Sequence, residues 1–225
     1  MNDTGEFGIM DGTVRDVPSL QAPGFIKAVA RGHFNDVSDS ISGDLILNVR
    51  SSTPEYSGFR VSFAAGALSP DYACAGGSTI PFTGGCYKRK FTVPSGSEFV
   101  EIRLPFNTFS DHWSPYTGDQ ITTCAEDPSV CPTARDLSHI QHIELWAEGA
   151  KGDVRLEVHS ISAEVSDSSH REAEEIKKTV LAKIANDYDS SAYETSLVTF
   201  DGAELTTFTF HQTNDPVMVR KNNNP

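Results

Sequence analysis

Few side chains in this chain are placed to do chemistry, and the four cysteines come first. They form two local pairs, Cys74 with Cys86 and Cys124 with Cys131, each in a stretch rich in Gly, Pro, Ser and Asp. An even count in long exposed loops predicts two loop-closing disulfides and an oxidising compartment. Through loop entropy each would contribute about 2–3 kcal/mol, less any strain. Zinc sites use a tighter C-x₂₋₄-C spacing, so the spacing favours disulfides over metal, with free thiols as the stronger alternative. Seven histidines are scattered. His139 and His142 stand three apart, which on a strand sends them to opposite faces, so no shared ligand site is expected. Glu144 and Glu157 could face each other across the final hairpin, the arrangement glycoside hydrolysis needs; outward-facing solvated carboxylates explain them equally well. Asp111-His112 beside Trp113 reads as exposed loop polarity. Asp36, Asp39 and Asp44 are candidate oxygen ligands for a structural calcium. No nucleophile elbow, zinc-protease helix, P-loop or dinucleotide fingerprint occurs. The expectation is therefore no catalysis, no cofactor and no metal. What remains is a set of loop aromatics able to stack on a ligand: Tyr72, Phe82, Trp113 and Tyr116.

Those loops need a scaffold, and the scaffold reads as strands. Phe59-Arg60-Val61-Ser62-Phe63 alternates apolar with polar, the half-buried strand pattern. Asp44–Arg50 is more continuously apolar at its start, as a central strand would be. Tyr87–Val93, Glu98–Leu104, Ile140–Ala147 and Asp153–Val165 follow, with Val154, Leu156 and Val158 inward and Arg155, Glu157 and His159 outward. Fainter strands lie at Phe7–Val14 and Phe25–Arg31. Many short strands with turns between them predict an all-β fold, an antiparallel β-sandwich or jelly roll, over residues 7–165. Two long connections, 64–86 and 109–138, interrupt the strands. Such loops are usually functional or separately tied down, and here the cysteine pairs supply the tie.

After Val165 the texture changes. Residues 166–196 read as a linker carrying one amphipathic helix over about 170–186. Ser169-His170-Arg171-Glu172 has the form of a capping box, and Ala173, Ile176, Val180, Leu181 and Ile184 make one stripe. Residues 197–218 return to strand, at Leu197–Phe200 and Leu205–Gln212, and 219–225 read as a disordered tail. The tail strands look like the opening of the same domain type that the body nearly completes. Either the domain is circularly permuted or the chain spans parts of a tandem array.

Net charge is −13 over 225 residues. An acidic surface repels nucleic acid and anionic membrane. No run of 18 apolar residues exists to cross a bilayer as a helix. The first residues lack the basic and apolar stretches of a signal peptide.

Four segments in order resemble the complex I intermediate-associated protein family, whose domain is a galactose-binding-like β-sandwich. Phe25–Ala30 is similar to the family strand after its first loop, and Ser42–Ser51 to its aspartate-glycine, apolar-run, arginine strand. Phe99–Phe109, including Leu104-Pro105-Phe106-Asn107-Thr108-Phe109, is similar to its Val-x-Leu-Pro-Phe-x-x-Phe segment, and Ile140–Trp146 with Gly152–Val158 to its last hairpin. Asn214-Asp215-Pro216-Val217-Met218 resembles the family's opening motif, displaced to the end of this chain and departing from it at Val219-Arg220-Lys221, where two glycines are expected. The resemblance implies a non-enzymatic protein-binding module of the respiratory-complex assembly-factor type, in a mitochondrion. The competing expectation is a carbohydrate-binding module of a secreted or lumenal protein. The cysteines discriminate in part, since oxidised pairs weaken a mitochondrial matrix role and favour an extracytosolic one.

Overall fold

Alternation of apolar and polar side chains over short segments produces strands that bury one face each, and two such sheets must close on one another. In the computed structural model, residues 7–19, 21–32, 34–66 and 69–165 are described in full, with the backbone of 194–199 and 207–212. The helix read over about 170–186, its flanking linkers and the terminal tail lie outside the described residues.

The strands are β1 (Gly8–Val14), β2 (Asp16–Val17), β3 (Ala22–Pro23), β4 (Ile26–Arg31), β5 (Asp44–Ser51), β6 (Phe59–Ala65), β7 (Cys86–Lys90), β8 (Val100–Pro105), β9 (Ile140–Ala147), β10 (Gly152–Glu164), β11 (Glu194–Thr199) and β12 (Thr207–Gln212). One sheet runs β1-β10-β5-β8, with β11 also on β10; the other runs β12-β4-β9-β6-β7. All these pairings are antiparallel. The fold is the expected all-β sandwich.

The sheets meet over one apolar core. Leu45, Leu47 and Val49 of β5 and Val154, Leu156 and Val158 of β10 face Val61 and Phe63 of β6 and Ile143 and Leu145 of β9. Phe106 and Phe109, from the Leu-Pro-Phe-x-x-Phe segment, pack their rings on Phe63. The β10 register shifts between Val158 and Ser160. This bulge changes the phase of the alternation, so that Ile161 and Ala163 stay in the core after Val158.

β9 and β10 do not form a hairpin. They belong to different sheets, and the short turn after Ala147 carries the chain across the sandwich. The hairpin read from the sequence is corrected accordingly, and Glu144 and Glu157 stand in separate sheets rather than as a cross-strand pair. The backbone of β11 pairs with β10 beyond the end of β1, and β12 pairs with β4.

Candidate functional site

The outer face of the second sheet collects the chain's buried polar side chains. Cross-strand register sets them in rows: Arg31, His142, Ala64 and Cys86; then Val29, Glu144, Ser62 and Lys88; then Lys27, Trp146, Arg60 and Lys90. Period-two alternation makes this arrangement obligatory, because Ile143, Leu145, Val61 and Phe63 take the core face.

Two sets of contacts organise the face. In the first, Glu144 is fully buried and takes a hydrogen bond from Lys27 Nζ at 2.9 Å and from Ser62 Oγ at 3.2 Å. Trp146 Nε1 donates to the same serine oxygen at 2.9 Å. His142 Nε2 lies 3.4 Å from Glu144 Oε1 and 3.6 Å from Cys74 Sγ. Burial pushes the His142 imidazole below its usual range against the pull of Glu144. The outward, solvated position expected for Glu144 is thus corrected.

In the second set, Lys88 is fully buried and donates to Glu148 Oε1 at 2.7 Å. Its ammonium sits 3.6 Å from the Trp113 ring centroid and 3.7 Å from that of Trp146. A lysine held in this way is compensated by one carboxylate and two aromatic faces. Burial still pushes its pKa down, with Glu148 pulling the other way. Beside it Arg60 Nη2 donates to Asp119 Oδ1 at 2.6 Å, which holds Asp119 below the usual carboxylate range despite its desolvation.

The two long loops cover these side chains. Cys74 and Cys86 form one disulfide, with Cα atoms 5.1 Å apart, and Cys124 and Cys131 form another at 5.3 Å. The first loop begins its return with α1 (Pro70–Ala73) and the second ends with α2 (Ala134–Leu137), which carries a Thr133–Asp136 capping box. The loops are stapled to each other: Asp111 Oδ2 accepts from Ser78 Oγ and from the Gly85 amide, both at 3.1 Å. The Trp113 amide donates to the Gly77 carbonyl at 3.1 Å. Gly77 has φ 53°, and a Cβ there would strike the Trp113 carbonyl and indole, so the contact requires glycine. Gly118 has φ 70° and meets the Glu148 carboxylate in the same way. Asp111 is therefore a loop staple, and His112 bonds Thr122 Oγ1 at 2.7 Å.

The expected loop aromatics divide. Trp113 is only 2% exposed and donates to the Cys86 carbonyl at 2.8 Å, so it is part of the cover's underside and offers no stacking face to a ligand. Tyr72, Phe82 and Tyr116 are 54%, 82% and 67% exposed, joined by exposed Ile80 and Ile121. Phe82 also holds a left-handed φ of 68°. The Thr83 amide donates to the Ile80 carbonyl at 3.2 Å, closing a turn with Pro81 second and Phe82 third, where glycine normally supplies positive φ.

Asp36 caps the Ser38 amide at 2.9 Å and Asp44 lies 3.9 Å from Arg103; among the described residues, Asp36, Asp39 and Asp44 do not gather into a ligand cluster. Glu157 is held by Arg50 at 2.5 Å and Arg155 at 3.0 Å. Among the described residues, the cluster of three potential metal-ligating side chains is Cys74, His142 and Glu144. The sequence carried a legible sign of this ladder in the alternation of Phe59-Arg60-Val61-Ser62-Phe63, which sends Arg60 and Ser62 of β6 away from the core. Nothing in it placed Lys88 against Glu148, 60 residues on.

No family model, no curated protein and no solved structure matches this chain.

Proposed function

We propose that this chain is a non-enzymatic protein-binding module whose recognition surface is the stapled loop layer over the second sheet. Phe82 carries the proposal. An almost fully exposed phenylalanine in a left-handed conformation gains nothing for folding and costs about 1–3 kcal/mol of backbone strain. Such a residue is retained where its ring meets something else. Its exposed companions Ile80 and Ile121 are aliphatic, which suits the apolar centre of a protein interface better than a sugar platform. In the buried ladder beneath, Lys88 pairs with Glu148, Lys27 with Glu144 and Arg60 with Asp119, which stiffens the surface.

The family resemblance supports an assembly-type binding role. The two disulfides favour the extracytosolic version of that role over a mitochondrial matrix one. Exposed Tyr72 and Tyr116 support the second reading, a carbohydrate-binding module, since a tyrosine face can stack on a pyranose ring. A photo-crosslinking phenylalanine analogue at position 82 separates the two. The expected result is one dominant protein adduct from the oxidising compartments of the source cells, lost when Ile80→Glu is added, with no glycan bound on an array. Saturable glycan binding abolished by Tyr116→Ala would overturn the protein reading.

A further inference from the structure

We propose that reduction of the Cys74–Cys86 disulfide converts this corner of the sheet into a tetrahedral zinc site made of Cys74, Cys86, His142 and Glu144. The preorganisation is already present with the disulfide closed. With Zn–S about 2.3 Å, Zn–N about 2.0–2.1 Å and Zn–O about 2.0–2.2 Å, tetrahedral angles place sulfur about 3.6 Å from nitrogen and nitrogen about 3.4 Å from oxygen. Cys74 Sγ lies 3.6 Å from His142 Nε2, and His142 Nε2 lies 3.4 Å from Glu144 Oε1. All three ligand atoms fall within 4.8 Å of one another, and all three residues are buried. Cys86, fully buried and bonded to Cys74, supplies the fourth ligand once the sulfurs part. His142 is fully buried, its Nδ1 has no hydrogen-bond partner, and its Nε2 points into the cluster.

The sequence conceals this site because its ligands come from three places: the end of α1, the start of β7 and the middle of β9. Sheet register joins them, since Cys86, Ala64 and His142 share one row.

The chemistry balances. A dithiol reductant gives two electrons and two protons; the Cys74–Cys86 bond breaks, two thiols form, and the reductant becomes a disulfide. Zinc then releases both thiol protons as two Zn–S bonds form, with His142 and Glu144 completing the shell. Two thiolates cancel the charge of the ion, so the Lys27–Glu144 pair keeps its neutral balance beside the metal. The loop would stay pinned to β7 in either redox environment, by a covalent bond in one and by a metal in the other. This inference stands apart from the partner reading, which concerns the outer surface of the same loop.

The test uses the full chain carrying Cys124→Ser and Cys131→Ser, so that Cys74 and Cys86 are its only thiols. It is reduced with a phosphine and titrated with cobalt(II). The expected result is one ion per chain, with the intense visible bands of tetrahedral cobalt and a sulfur-to-cobalt charge-transfer band. The oxidised protein should show neither. His142→Ala should weaken binding at least about tenfold and distort the visible bands. If reduction alone loosens the fold, zinc should restore the near-ultraviolet dichroism of Trp113 and Trp146. Absence of the cobalt bands in the reduced chain, bands that His142→Ala leaves unchanged, or a loosened fold that zinc does not restore would each overturn the proposal.

Discussion

Replacing Lys88 by methionine tests whether the charge under the loop layer is an integral part of the fold. Methionine keeps the length of the stem and lets a thioether sit between the Trp113 and Trp146 rings. What it removes is the cation 2.7 Å from Glu148, leaving a carboxylate that is only 6% exposed. Breaking a buried pair by deleting one partner costs about 3–5 kcal/mol. Arg60 lies close enough to share the orphaned charge, since its guanidinium donates to the Glu148 carbonyl, so the expected loss is at the lower end, about 3 kcal/mol. Glu148→Met leaves Lys88 between two rings, each able to return about 1–2 kcal/mol, and should cost about 2 kcal/mol. The double variant carries no unpaired charge and should return to within about 1 kcal/mol of the parent. The double-mutant cycle should then show a coupling above about 2 kcal/mol. Urea unfolding followed by tryptophan fluorescence is the natural assay, because both tryptophans of the chain flank the lysine. If Lys88→Met unfolds within about 1 kcal/mol of the parent at neutral pH, or if the two losses simply add, the pair is solvated in solution and the reasoning fails.

Phe82→Gly should cost no stability and gain up to about 1 kcal/mol, because glycine accepts the left-handed turn position; a partner that crosslinks at position 82 should still lose affinity, and a drop in melting temperature would mean the ring is a folding element. Burial pushes the Tyr56 and Tyr87 phenols up, the latter aided by the Asp136 carboxylate. A folded pKa raised above the unfolded value near 10 gives stability that is present below pH 10 and lost as pH rises. Unfolding midpoints should therefore fall steeply above pH 10, and Tyr87→Phe should flatten that limb. Deleting residues 194–225 removes β11 and β12, uncovering the β4 edge and half of β10. The expected outcome is a lower melting temperature and concentration-dependent association by light scattering; an unchanged monomer with the same melting temperature would show that those strands add nothing at home.

The strands of the body were legible because their apolar residues alternate and their partners on the core face are all apolar. β5, β6 and β10 fall where Asp44–Arg50, Phe59–Phe63 and Asp153–Val165 place them. The cysteine pairs were legible from their loops. The polar ladder was not, because an alternating strand shows which residues leave the core but not whether a loop will cover them. Lys88 and Glu144 are buried under the two long connections and Trp113 is buried on the underside of one, and their types and spacing alone describe a solvated face and an exposed loop. The β9–β10 connection misleads for a related reason: a four-residue gap suits a hairpin and a crossing between sheets equally, and only the placement of β4 and β5 as their neighbours decides.

The positions of β11 and β12 have a consequence for the order in which this molecule can be finished. β10 receives β5 on one side, but on the other side β1 covers only its first half and β11 the second. β4 is in place by residue 31, yet its outer neighbour is β12. During vectorial synthesis from the N-terminal end, the first sheet must therefore wait until residue 199 has emerged and the second until residue 212, each with a length of open edge. For that interval a neighbouring copy's β11 and β12 would fit the same two gaps as the chain's own.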